Sequence, residues 1–469
     1  RALPCVKAEL VKQLTPSVSC KKRIVVNTMR KSKNAALPEL SFKAIVLGSI
    51  LAVILGAANG YLALKVGITV SACIPAAVMS MGLLRLFSRS NILENNIVQT
   101  MASAGESVTA GAAFTLPALI LMRYWTNFDI ALTTALTSIG CLLGVMLSVP
   151  LRQTFIVKQK LEYPEGVATA EVLKAGHQNA EDSGRSLMVL IKGSFASACI
   201  QFLQVGLQCA SGALNLWTRV ANTVAGFSLG YSPATLAAGY VLGMGSCFSL
   251  MVGSLVCWFV LVPFYGALYG IPTHGDPFSM AMKLWDEEIR MIGIGAMVVG
   301  GVWTVYGLIE PLKLSAQSSW RAYRQRASQD RLSRTETDLS FSLTSVVVLI
   351  SLILTTFLIK DTIIQHIAWS FGWSLHLAFT LYLFAILALV CFLCAPLGGY
   401  VVGILGSSNM PLSGILLIAV ITFSLALWAF LDPFLHFHLN PDMSLKAAGV
   451  VILMTSIIAV TSAFCGDNL

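Results

Sequence analysis

Residues 43–65 read KAIVLGSILAVILGAANGYLALK, two lysines bracketing an uncharged and mostly apolar run. About 20 such residues in helical form cross the hydrocarbon core of a bilayer. The apolar residues are continuous and do not alternate with period two, so the run is a helix and not a barrel strand. The same pattern recurs along the chain. Twelve spans are expected, at 43–65, 68–87, 100–122, 128–150, 187–210, 231–249, 251–270, 290–312, 342–360, 375–397, 412–431 and 444–464. Composition agrees, because 56% of the 469 residues are hydrophobic and only 11% are charged. Soluble domains carry about 25% charged residues. The fold class is therefore all-α, a polytopic transmembrane helical bundle in a multi-pass integral membrane protein.

The net charge of +9 raises the question of a nucleic-acid partner. The positive residues instead sit in the first 40 residues and in short loops, as the positive-inside rule requires, so no nucleic-acid partner is expected. With residues 1–40 cytoplasmic, alternate loops place Arg85 and Arg89, Arg152 with Lys158 and Lys160, and the basic stretch 314–341 on the same side. The opposite loops, 271–288 and 432–443, are poor in Lys and Arg. This divides the chain into a basic segment 1–40, a first bundle 41–313 of eight spans with a polar cytoplasmic insert at 151–186, the loop 314–341, and a second bundle 342–469 of four spans. Both ends are then cytoplasmic, and the unequal division leads us to expect that the membrane run is cut at Leu469. No signal peptide is evident in 1–36. A plasma or inner membrane is the expected location.

Ionisable side chains inside a span are costly and need a reason. Glu106 is the clearest, in Ser103-Ala104-Gly105-Glu106-Ser107 at mid-depth of the third span, among small residues that admit close helices or a water-lined cavity. A carboxylate there can carry a coupling proton or can glue helices together. Glu94, Asn95 and Gln99 lie near one face of the same helix, and Gln99 to Glu106 continues it two turns on. A polar stripe on an embedded helix faces a cavity or a partner helix. The second candidate is Gly398–Gly414, where Pro411 and the glycines oppose one continuous helix while Ser407, Ser408, Asn409 and Ser413 offer donors and acceptors. Broken helices at membrane depth occur where the freed backbone lines a site. Glu165 and Glu171, on the polar insert, read as solvated surface residues.

Of the eleven cysteines, those inside apolar stretches, Cys73 among them, read as small packing residues. Cys391 and Cys394 form a C-x-x-C in an apolar helix with no second pair, and His436 with His438 is a weak metal pattern, so neither a metal nor a cofactor is expected. No P-loop, no H-E-x-x-H and no S4-like arginine repeat occurs, which argues against a self-energised pump, an intramembrane metalloprotease and a voltage sensor. No nucleophile–base pair stands out, so an enzyme is not expected. Gly60-Tyr61 leading to Gly67 is echoed by Gly399-Tyr400 leading to Gly406, each where one span gives way to the next. In the topology above the two lie on opposite sides, the relation that an inverted repeat would produce.

Three blocks, NILENNIVQTMASAGES (91–107), VPLRQTFIVKQKLEYPEGVATAEVLKAG (149–176) and GGYVVGILGSSNMPLSG (398–414), together with Cys465–Leu469, resemble the oligopeptide transporter family, and most closely its yellow-stripe-like and bacterial branch. The resemblance covers residues 39–469. It implies secondary active uptake in which small oligopeptides, or metal complexes of peptide-like chelators, move with protons. It also implies more spans than are read here, which agrees with a chain cut at Leu469. Protons, a small-molecule substrate and lipid are then the expected partners, with the oligomeric state left open. Glu106 would carry the proton, and Glu94, Asn95, Gln99, Ser103, Ser407, Ser408, Asn409 and Ser413 would line the pathway. The competing reading is a channel or a membrane scaffold that transports nothing.

Overall fold

The computed structural model describes residues 39–469 apart from 68, 86–89, 179, 208, 210, 221–222, 271–274, 301, 304–305, 307–337, 367–372, 408–409, 411 and 436–440. Ser408, Asn409, the His436 and His438 pair, nearly all of the basic segment 1–40 and residues 314–337 of the basic loop lie outside the described residues.

Among the described residues eight helices are long and apolar enough to cross a membrane: Phe42–Lys65, Ile92–Leu121, Ile130–Val157, Cys247–Tyr269, Ser342–Ile359, His376–Leu405, Leu412–Phe430 and Ser444–Asp467. The elements that place the site are α1 (Phe42–Val66), α2 (Cys73–Leu84), α3 (Ile92–Ala113), α4 (Pro117–Leu121), α5 (Ile130–Arg152) and α6 (Pro164–Gln178). After α7 (Ala180–Gln201) come a hairpin, β1 (Ala213–Val220) and β2 (Thr223–Gly230), and the helices α8 (Pro233–Leu255), α9 (Val262–Tyr269) and α10 (Pro277–Leu284). The chain closes with α11 (Phe341–His366), α12 (Trp373–Leu405), α13 (Leu412–Leu435) and α14 (Pro441–Asp467).

The helical membrane architecture is as expected, but five of the twelve spans are redrawn. Residues 68–87 do not span. Gly67, at φ 79°, ends α1, the chain is non-helical where described up to Ala72, and α2 has only 12 residues. At about 1.5 Å per residue that helix falls well short of the bilayer core. The spans at 231–249 and 251–270 are one helical run, because wider π-type turns at Val256–Leu261 carry α8 into α9. The expected span 187–210 is helical through α7 and π-type turns at Phe202–Gly206, yet it is not one of the eight. The span at 290–312 is helical from Arg290 to Gly300, and most of its remainder lies outside the described residues. The hairpin was not foreseen; its strands pair antiparallel from Ala213 with Gly230 to Val220 with Thr223.

Helix α14 is the hub, with 78% of its membrane window buried, against α3, α5, α12 and α13. Glycines make that packing possible. A Cβ on Gly111 of α3 would lie 2.6 Å from the Val460 Cα, and one on Gly144 of α5 would lie 2.8 Å from the Thr461 carbonyl. Helix α1 packs as closely on α3, where a Cβ on Gly105 would meet the Ala52 carbonyl at 2.5 Å. The outer face of α1 leaves Phe42, Val53, Ile54 and Leu64 exposed. Water would penalise such a face, whereas lipid solvates it.

Candidate functional site

The polar stripe of α3 divides into two faces. At the helix start, Asn91 accepts hydrogen bonds from the backbone N–H of Leu93 and Glu94, and Glu94 accepts one from the Asn91 N–H, a reciprocal capping box. Buried Glu94 also pairs with Lys43 of α1, Nζ to Oε2 at 3.1 Å. Glu94 thus fastens α3 to α1 and lies outside the cavity wall described below. Asn95 is buried beside it, outside the same wall, and its Oδ1 has no partner among the described residues.

The other face, with Asn96, Gln99, Thr100 and Ser103, forms one wall of a cavity of about 550 Å3. That volume suits a small organic molecule. The remaining walls come from α6 (Glu165, Thr169, Lys174), from Gly406 and Ser407 at the end of α12, and from the end of α14 with Asp467. Cys73, at the start of α2, completes the floor. The Ser103 hydroxyl lies 2.9 and 2.8 Å from the two carboxylate oxygens of Asp467, and the Cys73 Sγ lies 3.1 Å from the Ser103 Oγ and 3.7 Å from the Asp467 Oδ1.

Glu106 lies one turn beyond Ser103 and is buried, just off the cavity wall. The Asn59 amide of α1 donates to its Oε1 at 2.8 Å, and the Ala72 N–H donates to its Oε2 at 3.4 Å. Asn59 in turn accepts from the Val70 N–H at 3.0 Å. The unwound stretch after Gly67 therefore sends two of its backbone donors to side chains, which is the condition for non-helical backbone at membrane depth. Among the described residues neither Glu106 nor Asp467 has an ion-pair partner.

Glu165 is not a solvated surface residue. It stands in the cavity wall, where its carboxylate accepts the Ser407 hydroxyl. Around it the insert is clasped to α12: the Tyr163 N–H donates to the Gly403 carbonyl at 3.0 Å and the Tyr163 hydroxyl to the Gly399 carbonyl at 3.1 Å. Burial pushes the Tyr163 phenol up, so it stays a donor. The break at the end of α12 repeats the one at the end of α1. Gly406 has φ 86° and donates to the Val402 carbonyl at 2.9 Å, as Gly67 donates to the Ala63 carbonyl at 2.9 Å.

The structure thus gathers Gln99, Ser103 and Ser407 around one cavity and sets Glu106 next to it. Ser413 is exposed on α13, apart from that wall. Four contributors were not expected from the sequence: Asp467 and Asn59, which it did not single out, and Glu165 and Cys73, which read there as a solvated surface residue and a small packing residue. An acid closing an apolar span was the available signal for Asp467, and an Asn within 43–65 for Asn59.

These features define a polytopic helical membrane protein with a polar, carboxylate-bearing cavity among its helices. The profile of the OPT oligopeptide transporter protein family matches residues 39–464, and the chain belongs to that family. A putative oligopeptide transporter of Haemophilus influenzae is 33% identical over 416 residues, covering 87% of this chain and 63% of that protein. The metal-nicotianamine transporter YSL3 of Arabidopsis thaliana is 26% identical over 335 residues, covering 62% of this chain and 49% of that protein. The probable metal-nicotianamine transporter YSL8 of Oryza sativa subsp. japonica is 25% identical over 324 residues, covering 61% and 46%. The chain therefore spans less than two thirds of the length of each of these relatives. All three are named as transporters, and the family is one of transporters rather than enzymes.

Proposed function

We propose that this chain carries the translocation site of a proton-coupled symporter that imports small oligopeptides or peptide-like metal chelates. The observation that carries the reading is the cavity itself: about 550 Å3 among membrane helices, with Asp467 and Glu165 in its wall and Glu106 behind it. An intramembrane carboxylate without a cation partner marks an ion or proton pathway by default. Glu106 is held by an amide and a backbone N–H, donors that serve it charged or neutral, so it can give up and regain a proton without losing its place. The names of the relatives support both cargo classes.

The test is uptake of a labelled tripeptide into proteoliposomes of the full-length protein, with and without an inward proton gradient. The gradient is expected to accelerate saturable uptake, and Glu106→Gln to remove the acceleration while leaving the protein folded. Acceleration that survives in Glu106→Gln means that the proton travels elsewhere. Non-saturable flux indifferent to the gradient would make the protein a channel, and no flux at all would make it a scaffold.

A further inference from the structure

We propose that the cavity recognises a free ammonium group on its cargo, with the Asp467 carboxylate as the partner. The inference rests on the transporter reading and deepens it by naming the chemical feature read and the residue that reads it. Every hydrogen-bond donor to Asp467 among the described residues is neutral, the hydroxyls of Ser103 and Ser107 and the thiol of Cys73. No described Lys or Arg forms an ion pair with it. Among the described residues of the wall the one cation, Lys174, is engaged by Glu171 at 2.9 Å with its side chain 58% exposed, so it faces water at the rim.

A second observation points to a ligand. Thr169 of α6 lines the cavity, is 5% exposed, and its hydroxyl has no partner among the described residues. A buried hydroxyl left so costs free energy that a ligand's hydrogen bond returns. An ammonium carries three donors and no acceptor. The cavity offers it the Asp467 carboxylate on α14, the Thr169 hydroxyl and Glu165 carboxylate on α6, and Gln99 on α3. An anionic group would meet two carboxylates instead. A bare metal ion is served less well, because no cluster of three or more His, Cys, Asp or Glu side chains occurs among the described residues.

The experiment compares trialanine with N-acetyl-trialanine on the full-length protein, by binding in lipid nanodiscs and by uptake into proteoliposomes. Acetylation removes the charge and leaves the rest of the peptide. Wild-type protein is expected to bind the acetylated peptide at least about tenfold more weakly, or about 1.4 kcal/mol. Asp467→Asn should bring trialanine down to the level of the acetylated peptide, while Thr169→Val lowers affinity for trialanine alone and by a smaller factor. Equal binding of the two peptides to wild type overturns the proposal, whether or not Asp467→Asn folds. So does an undiminished preference in a folded Asp467→Asn. Uptake without amine preference defeats this inference alone, whereas absence of binding and uptake of either peptide defeats the transporter reading with it.

Discussion

Asn59 shows how much one side chain can hold at membrane depth. Its amide nitrogen serves Glu106 and its carbonyl oxygen serves the Val70 N–H, so α1, α3 and the unwound stretch before α2 meet at one residue. Asn59→Leu would leave a buried carboxylate oxygen and a backbone N–H without partners, each costing about 1–3 kcal/mol. The midpoint of thermal unfolding in detergent should fall clearly, and an unchanged midpoint would show that water replaces the amide. Glu94 is the contrasting case. Glu94→Ala removes the capping box and the Lys43 pair, and should cost about 1–3 kcal/mol of stability. Because Glu94 stands outside the cavity, peptide affinity measured on the folded fraction should not change. The sequence exposed Glu106 as an acid inside an apolar span and Glu94 as part of the polar stripe on the same helix. It could not separate them, since the difference lies in Lys43 and Asn59, partners 51 and 47 positions away. Asp467 was harder still to read, because the hydroxyl it meets, on Ser103, is 364 positions distant.

At the scale of elements, the glycine-capped breaks decide where helices stop. Gly67 and Gly406 share the left-handed conformation, which an L side chain adopts only at a cost of about 1–2 kcal/mol. Their surroundings differ. A Cβ on Gly67 would meet nothing within 4 Å, whereas one on Gly406 would stand 2.7 Å from the Glu165 Oε1. Gly67→Ala should therefore show backbone strain alone. Gly406→Ala should destabilise more and also release the Glu165–Ser407 contact, seen as faster hydrogen exchange across 159–167. Equal effects of the two substitutions would mean that Glu165 yields freely. Hydropathy located the ends of these helices poorly because it measures apolarity and not backbone conformation. Residues 68–87 are apolar, yet Gly67 and the unwound turn leave too little helix to span. The stretch 231–270 reads as two spans, yet π-type turns at Val256–Leu261 keep it one helical run. The echo of Gly60-Tyr61 in Gly399-Tyr400 was legible, and its physical content is the matched cap that follows each.

From the charge pattern of the sequence we propose a division into a first bundle, 41–313, and a second, 342–469. What the sequence does not reveal is how the two parts depend on each other. Helix α14 belongs to the second by position, yet it is buried against α3 and α5 of the first, with Gly111, Gly140 and Gly144 giving it room. At the end of α5, Arg152 and Gln153 grip Asp338 at 2.7 and 2.8 Å, which ties the first part to the loop that leads into the second. Asp467 reaches the cavity only because α14 is threaded there, so the cavity wall belongs to both parts at once. A helix with a lipid-compatible sequence gains little from apolar burial alone inside a membrane, and close backbone packing at small residues supplies the association instead. Co-expressed as separate pieces divided within 314–337, the two parts should assemble and co-purify through a tag on either one. Gly144→Leu should break that assembly, because its side chain would occupy the place of the Thr461 carbonyl and the Phe464 Cβ. Recovery of either piece alone, folded and monomeric, would show that the bundles are independent and that the cavity between them is not built by their union.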